Sequence, residues 1–423
     1  MLSLVVTVLL LILFFVNYKK GIIVTAFLVQ PLTYIGCGIG DISLYYFAAA
    51  ISVLIVLISN MRKRIETYPK LLFIPTAMMA ISYLITNAVS NHPNTILILG
   101  NILTQFIFPI ALWCILDSRS WVWYAIKSIV CISVVAIIVM ILELIFQHNY
   151  FTDFIQNNFV ISDFVIDAST IRFGLKRTNS IFSYFSTFGT FCCLSTFVVW
   201  IVIILKLSTK KIYTCLMFLL PVAAFSTGSR AVFLAIFCIL IGLFTQKKIM
   251  QKSFFKFVFI LCILLLPLIY SYFSAVVDSI INSDTTNTVS GSSSELRLLQ
   301  WEICAPYFMQ SPIWGNGRMY IWDEVAPSNP MLLGAESIWF SLLVDYGIMG
   351  AITYIIMIVG CILLVRQYNP RLIFMPIGYF LILFLSPDAG IQYNLLLTYV
   401  VLSVKIYLYS QEKSYKLALK QEI

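Results

Sequence analysis

Residues 121–146 read WVWYAIKSIVCISVVAIIVMILELIF. This run exceeds the roughly 20 apolar residues needed to cross a bilayer. Similar runs recur along the whole chain. The candidate spans are 2–17, 22–39, 43–59, 71–89, 96–116, 121–146, 182–205, 212–226, 231–245, 254–276, 338–365, 372–385 and 395–408. Of the 423 residues, 61% are hydrophobic and only 11% charged. A soluble domain is nearer half apolar and a quarter charged, so a soluble enzyme, a disordered chain and a disulfide scaffold are excluded. An outer-membrane barrel alternates and is less hydrophobic. The expected fold is an all-α polytopic integral membrane protein with about 12–13 transmembrane helices. Two large extracytoplasmic loops interrupt the spans, and the organisation is 1–146 helices, 147–181 first loop, 182–276 helices, 277–334 second loop, 335–409 helices and 410–423 tail.

Lysine and arginine placement orients the spans, because cytoplasmic loops carry the excess of both. The net charge is +9; in a membrane chain this asks which side the charges occupy, and it points to no nucleic acid. The clusters at 19–20, 62–70, 119–127, 206–211, 247–256, 366–371 and 405–420 fall in alternate loops, so one orientation satisfies all of them. Of 27 basic residues, all but six lie on that side. The six are Arg172, Lys176, Arg177, Arg230, Arg297 and Arg318. Arginine presents a planar fork that matches phosphate oxygens. An extracytoplasmic set of them suggests an anionic substrate met from outside, or else pairing with the acidic residues nearby. Arg230, in Ser226-Thr227-Gly228-Ser229-Arg230 between two apolar runs, is the most pointed. A charge at that depth marks a functional site by default, the alternative being an arginine that snorkels to lipid phosphate.

Ser292 and Glu295 form a capping-box pattern that starts a short helix. Arg297 and Trp301 share one of its faces, and Pro306 is expected to disrupt or end it. Aromatic residues such as Tyr150, Trp301, Tyr307, Tyr320 and Trp322 crowd the loops; they suit sugar stacking or an interfacial belt. Nine of the ten cysteines lie in apolar runs and only Cys304 in a polar loop. With no CxxC pair, they read as small apolar residues, not metal ligands.

Four segments carry a resemblance. They are Arg177-Thr178-Asn179-Ser180-Ile181-Phe182 ahead of Phe188-Gly189; Ser226-Thr227-Gly228-Ser229-Arg230; Arg297-x-x-x-Trp301 with Pro312-x-x-Gly315-x-Gly317; and Glu336-Ser337 running on to Asp345-Tyr346-Gly347-Ile348-Met349-Gly350. In this order the chain resembles the O-antigen polymerase and ligase superfamily. The ligase branch usually carries a histidine where Glu336 stands, so the resemblance favours the polymerase branch. It implies a GT-C-like membrane glycosyltransferase in the bacterial inner membrane, with its active site facing the periplasm or cell exterior. The donor it implies is an oligosaccharide on polyprenyl pyrophosphate, and the acceptor a sugar hydroxyl of another lipid-linked repeat unit. Arg230 and Arg297 are then the residues that meet the leaving pyrophosphate, and Glu336 the proton acceptor. Arg172, Lys176, Arg177, Trp301 and Arg318 are expected to bind substrate. Neither a metal nor a cofactor is implied; membrane lipids, a chain-length regulator and a flippase are the further expected partners. The alternatives are a ligase, or a polytopic transporter or lipid-linked oligosaccharide flippase.

Overall fold

A computed structural model describes residues 2–38, 42–59, 62–161, 171–172, 175–244, 294–332, 337–385 and 393–421. Along the described chain, α1 is Leu2–Val16 and α2 Tyr18–Val24, the latter continued by a π turn and a 3-10 turn to Leu32. Then come α3 Leu44–Ile58, the short α4 Arg62–Ile65 and α5 Lys70–Val89. Next, α6 Thr95–Asn101 joins α7 Phe108–Ile115 through a π turn, followed by α8 Arg119–Phe146 and α9 Tyr150–Asn158. A two-residue hairpin, β1 Ile171–Arg172 and β2 Leu175–Lys176, precedes α10 Phe185–Ile204, α11 Lys211–Ser226 and α12 Arg230–Phe244. The last helices are α13 Ser294–Gln310, α14 Ile338–Tyr368, α15 Phe374–Phe384 and α16 Tyr393–Gln421.

Apart from that hairpin the regular structure of the described chain is helical, as in an all-α polytopic membrane protein. Among the described residues, five helices are long and apolar enough to cross a membrane: Lys70–Val89, Thr95–Ile115, Arg119–Phe146, Phe185–Ile204 and Ile338–Tyr368. Shorter apolar helices accompany them, among them Leu2–Val16, Lys211–Ser226 and Arg230–Gly242. Candidate spans on described residues coincide with helical runs, except that the one at 22–39 is helical only to Leu32 and then turns into isolated bridges at Ile35 and Gly36; the one at 254–276 lies outside the described residues. Helices dominate because hydrocarbon offers no partner for backbone N–H and C=O groups.

Helix α10 is the central one, with 83% of its apolar window buried. A helix apolar all round belongs in the interior. Small residues let its neighbours approach: a Cβ on Gly189 would strike the Val232 side chain of α12. Two of its buried hydroxyls have partners, Thr190 donating to the Ser186 carbonyl at 2.8 Å and Ser195 sharing a 2.9 Å bond with the Tyr399 hydroxyl of α16. Helices α5 and α14 cross closely where Gly360 meets the Leu71 carbonyl and Pro75.

Residues assigned to one face do converge. Lys19, Arg64 and Asp117, from three basic-side connections, meet at one end. At the other, His92 lies 3.2 Å from Asp323 and 3.7 Å from Glu324. Those acids therefore meet a histidine from the short connection between α5 and α6.

Two local expectations change. Helix α13 runs through Pro306 to Gln310. It stops only at the Ser311-Pro312 turn, since packing of its apolar side outweighs one missing N–H. The apolar stretch from 338 is not one straight span. Gly347, at φ 65° and ψ −167°, breaks α14 into two helices.

Candidate functional site

Two of the four motif segments dock on each other. The Thr178 N–H donates to the Ser226 carbonyl at 3.1 Å, and the two hydroxyls share a 2.6 Å bond. Arg177 Nε donates to the Thr227 carbonyl at 3.2 Å, and its guanidinium carbon lies 3.2 Å from the centre of the Phe185 ring. Gly228 takes a left-handed φ of 61°, which permits the tight turn between α11 and α12. Arg230 then opens α12. Its guanidinium is thus carried by the positive end of a helix dipole, a place suited to anions.

Arg297 approaches the same rim from α13. Its Nη2 donates to the Leu385 carbonyl at 3.3 Å, just past α15. The Ser337 hydroxyl, which caps α14, donates to the neighbouring Phe384 carbonyl at 2.9 Å. Helices α12 and α15 are antiparallel, with Gly242 against Phe374 and Gly378 against Ile239 and Ala235. Continuing that register outward brings Arg230 level with the end of α15. Arg230 and Arg297 therefore stand on one rim, from two elements separated by the second loop.

The other two motif segments interlock. Chain 312–317 lies in the break of α14: Ile348 and Met349 N–H groups donate to the Pro312 and Ile313 carbonyls, at 2.9 and 3.1 Å. Asn316 and Gly317 N–H groups donate to the Val344 and Asp345 carbonyls, at 3.0 and 3.1 Å. A Cβ at Gly315 or Gly347 would strike the other segment's backbone. The buried Asp345 carboxylate accepts from the Met319 and Ile321 N–H groups at 3.1 and 3.0 Å. It holds Met319 in its left-handed conformation, φ 65°. Arg318 Nη1 donates to the Tyr346 hydroxyl at 3.3 Å, and Tyr346 stacks on Tyr83 with ring centres 4.0 Å apart.

The remaining expected site residues are placed differently. Trp301 is packed in a satellite core with Phe308 and Phe340, ring centres 6.1 and 6.3 Å away. Cys304 is in the same core; burial, with the Asp345 charge adding, pushes its thiol up to about 12. Lys176 is buried, donating to the Gln147 carbonyl at 3.0 Å and lying 3.8 Å from Glu143 Oε1. Its ammonium is turned inward onto protein partners. For Arg172 the structure describes only the backbone, in β1. Glu336 lies outside the described residues, as does Ser292 of the expected capping pair.

Glu143 is a residue the sequence reading missed. Its Oε2 accepts the Ser180 N–H at 2.9 Å, while Ser180 Oγ donates to the Ala136 carbonyl at 2.6 Å. Together they hold Ser180 at φ 54°, a conformation L residues seldom adopt. Asn149 Nδ2 adds bonds to Asn179 Oδ1 and the Ser180 carbonyl, both 2.8 Å. The segment carrying Arg177 is thereby fixed at both ends. The available signal was a lone acid near the C-terminal end of the apolar run 121–146.

In comparison with known proteins, residues 215–355 match the family model described as O-Antigen ligase. No curated protein matches the chain significantly. The matched third contains the turn before Arg230, Arg297 and the whole interlock, and leaves Arg177 and Glu143 outside it. The match supports the O-antigen ligase and polymerase superfamily as the class of this chain, without dividing its two branches.

Proposed function

We propose that the chain is a glycan polymerase. It transfers a glycan from polyprenyl pyrophosphate to a sugar hydroxyl of another lipid-linked repeat unit, at the outer face of the bacterial inner membrane. The observation that carries this reading is Arg297 bonded to the Leu385 carbonyl, at the end of the helix that runs antiparallel to the one Arg230 opens, with the Arg177 segment docked on the turn before Arg230. In the reaction the anomeric C–O bond breaks and its electron pair passes to the pyrophosphate oxygen. The acceptor hydroxyl oxygen bonds to the anomeric carbon, and its proton passes to a carboxylate, for which Glu336 is the candidate. Negative charge grows on the leaving group as the bond breaks. Preorganised donors aimed at developing charge are the effective device, each worth about 10²–10³ in rate. Arg230 at the α12 N-terminus and Arg297, reaching from α13 to the end of α15, supply it, and Arg177 supports the turn that carries Arg230.

The family description favours a second reading, a ligase that passes finished polymer to another acceptor. The absence of histidine at position 336 favours polymerase. Surface polysaccharide from a strain lacking the chain separates them. A single capped repeat unit in place of a ladder supports polymerase. Uncapped core with long polymer left on carrier lipid supports ligase. An unchanged ladder refutes both.

A further inference from the structure

The basic end of the bundle holds a cluster that the transfer reaction does not use. Lys19 Nζ and Arg64 Nη1 both reach Asp117 Oδ2, at 2.6 and 2.5 Å. Lys405 of α16 is only 8% exposed, with its ammonium 3.8 Å from the centre of the Trp113 ring. It is within electrostatic reach of both Asp117 and Arg64. Among the described residues no carboxylate ion-pairs with it. Lys20 lies over the Tyr124 ring at 6.0 Å. Three cations from three separate segments, Lys19, Arg64 and Lys405, thus gather at one carboxylate, and Lys20 neighbours Lys19 on the chain.

A buried ammonium facing a ring and surplus positive charge is costly in a membrane protein. An anion that joined the cluster would offset that cost. The surroundings identify its source. Phe15 and Val16 of α1 are 89% and 77% exposed, and Leu57 and Ile58 of α3 63% and 82%. These apolar faces end a few residues before Lys19 and Arg64, so they offer a surface to acyl chains beside a site for a phosphate. Basic pockets between helices on the cytoplasmic side take anionic headgroups.

We propose that Lys405, Arg64, Lys19 and Lys20 bind the phosphate of an anionic phospholipid of the leaflet at the basic end. The full chain is reconstituted with phosphatidylcholine and phosphatidylglycerol, released into detergent, and its retained lipid identified by native mass spectrometry. The wild type should retain phosphatidylglycerol in preference to phosphatidylcholine. Arg64→Gln, a change at an exposed side chain, should cut that preference about fivefold, as should Lys405→Met. Lys405→Arg should keep it, and so should Lys127→Gln, an exposed lysine outside the cluster. If Lys405→Met fails to accumulate, Arg64→Gln decides. Equal preference in wild type and Arg64→Gln, or none in the wild type, overturns the proposal. Displacement of the lipid by inorganic pyrophosphate overturns it too, since the site would then serve a soluble anion.

Discussion

Gly347→Ala tests the interlock directly. The position has φ 65° and ψ −167°, where only glycine is at ease; holding alanine there costs about 1–3 kcal/mol. The added Cβ would also strike the Ile313 carbonyl and lie 2.7 Å from the Gly315 nitrogen. Both are backbone atoms, so no side chain can rotate away and chain 312–317 must move. That movement endangers the bonds from Ile348 N–H to the Pro312 carbonyl, Met349 N–H to the Ile313 carbonyl and Gly317 N–H to the Asp345 carbonyl. Each contributes about 1 kcal/mol. The total is about 4–6 kcal/mol, a large part of an ordinary folding stability. Thermal unfolding in detergent, followed by intrinsic fluorescence, should show a clear drop in midpoint, with glycan transfer reduced in parallel. Asp345→Ala removes the acceptor of two N–H groups from the same unit. The double variant should therefore lose less than the sum of the singles. Gly100→Ala, where a Cβ meets nothing within 4 Å, is the control. An unchanged midpoint for Gly347→Ala, or strict additivity with Asp345→Ala, would refute the interlock.

Other outcomes follow from the first loop. Glu143→Ala leaves the buried Lys176 without its carboxylate and should cost about 3–5 kcal/mol; Glu143→Gln with Lys176→Met should recover most of the unfolding midpoint. Arg177→Lys keeps the charge but loses the Nε bond to Thr227 and the fork over Phe185. It should insert normally and transfer glycan about tenfold more slowly, at a few tenths to 1.4 kcal/mol per lost contact. Thr178→Val removes the hydroxyl shared with Ser226; it should lower the midpoint by about 1 kcal/mol of stability, read from the same unfolding curves.

The spans were legible because hydrocarbon imposes one rule everywhere: an apolar run long enough to cross must close its own backbone bonds. Residues 121–146 declare α8 without help from any other part of the chain. Loop architecture was harder because it rests on long-range pairing. Nothing local in Thr178 announces Ser226, and nothing local in Gly347 announces that chain 312–317 fills a break there. Pro306 was read by its own chemistry, whereas the packing of α13 decided the outcome. Trp301 was read as a sugar-stacking or interfacial-belt ring, yet it had Phe308 and Phe340 to pack against. The arginines carried the proposed site in the sequence reading, since basic residues set apart from the alternating basic clusters are a signal in composition alone. Glu143 gave a signal of the same kind and was overlooked inside a long apolar run.

The most direct test of the central claim is the rate of chain growth on a lipid-linked repeat unit by purified, reconstituted protein. Arg230→Ala and Arg297→Ala should each slow transfer by about 10²–10³. Their unfolding midpoints should stay close to that of the unaltered chain. Product chains of unaltered length and rate in both variants would contradict the claim that this rim receives the leaving pyrophosphate.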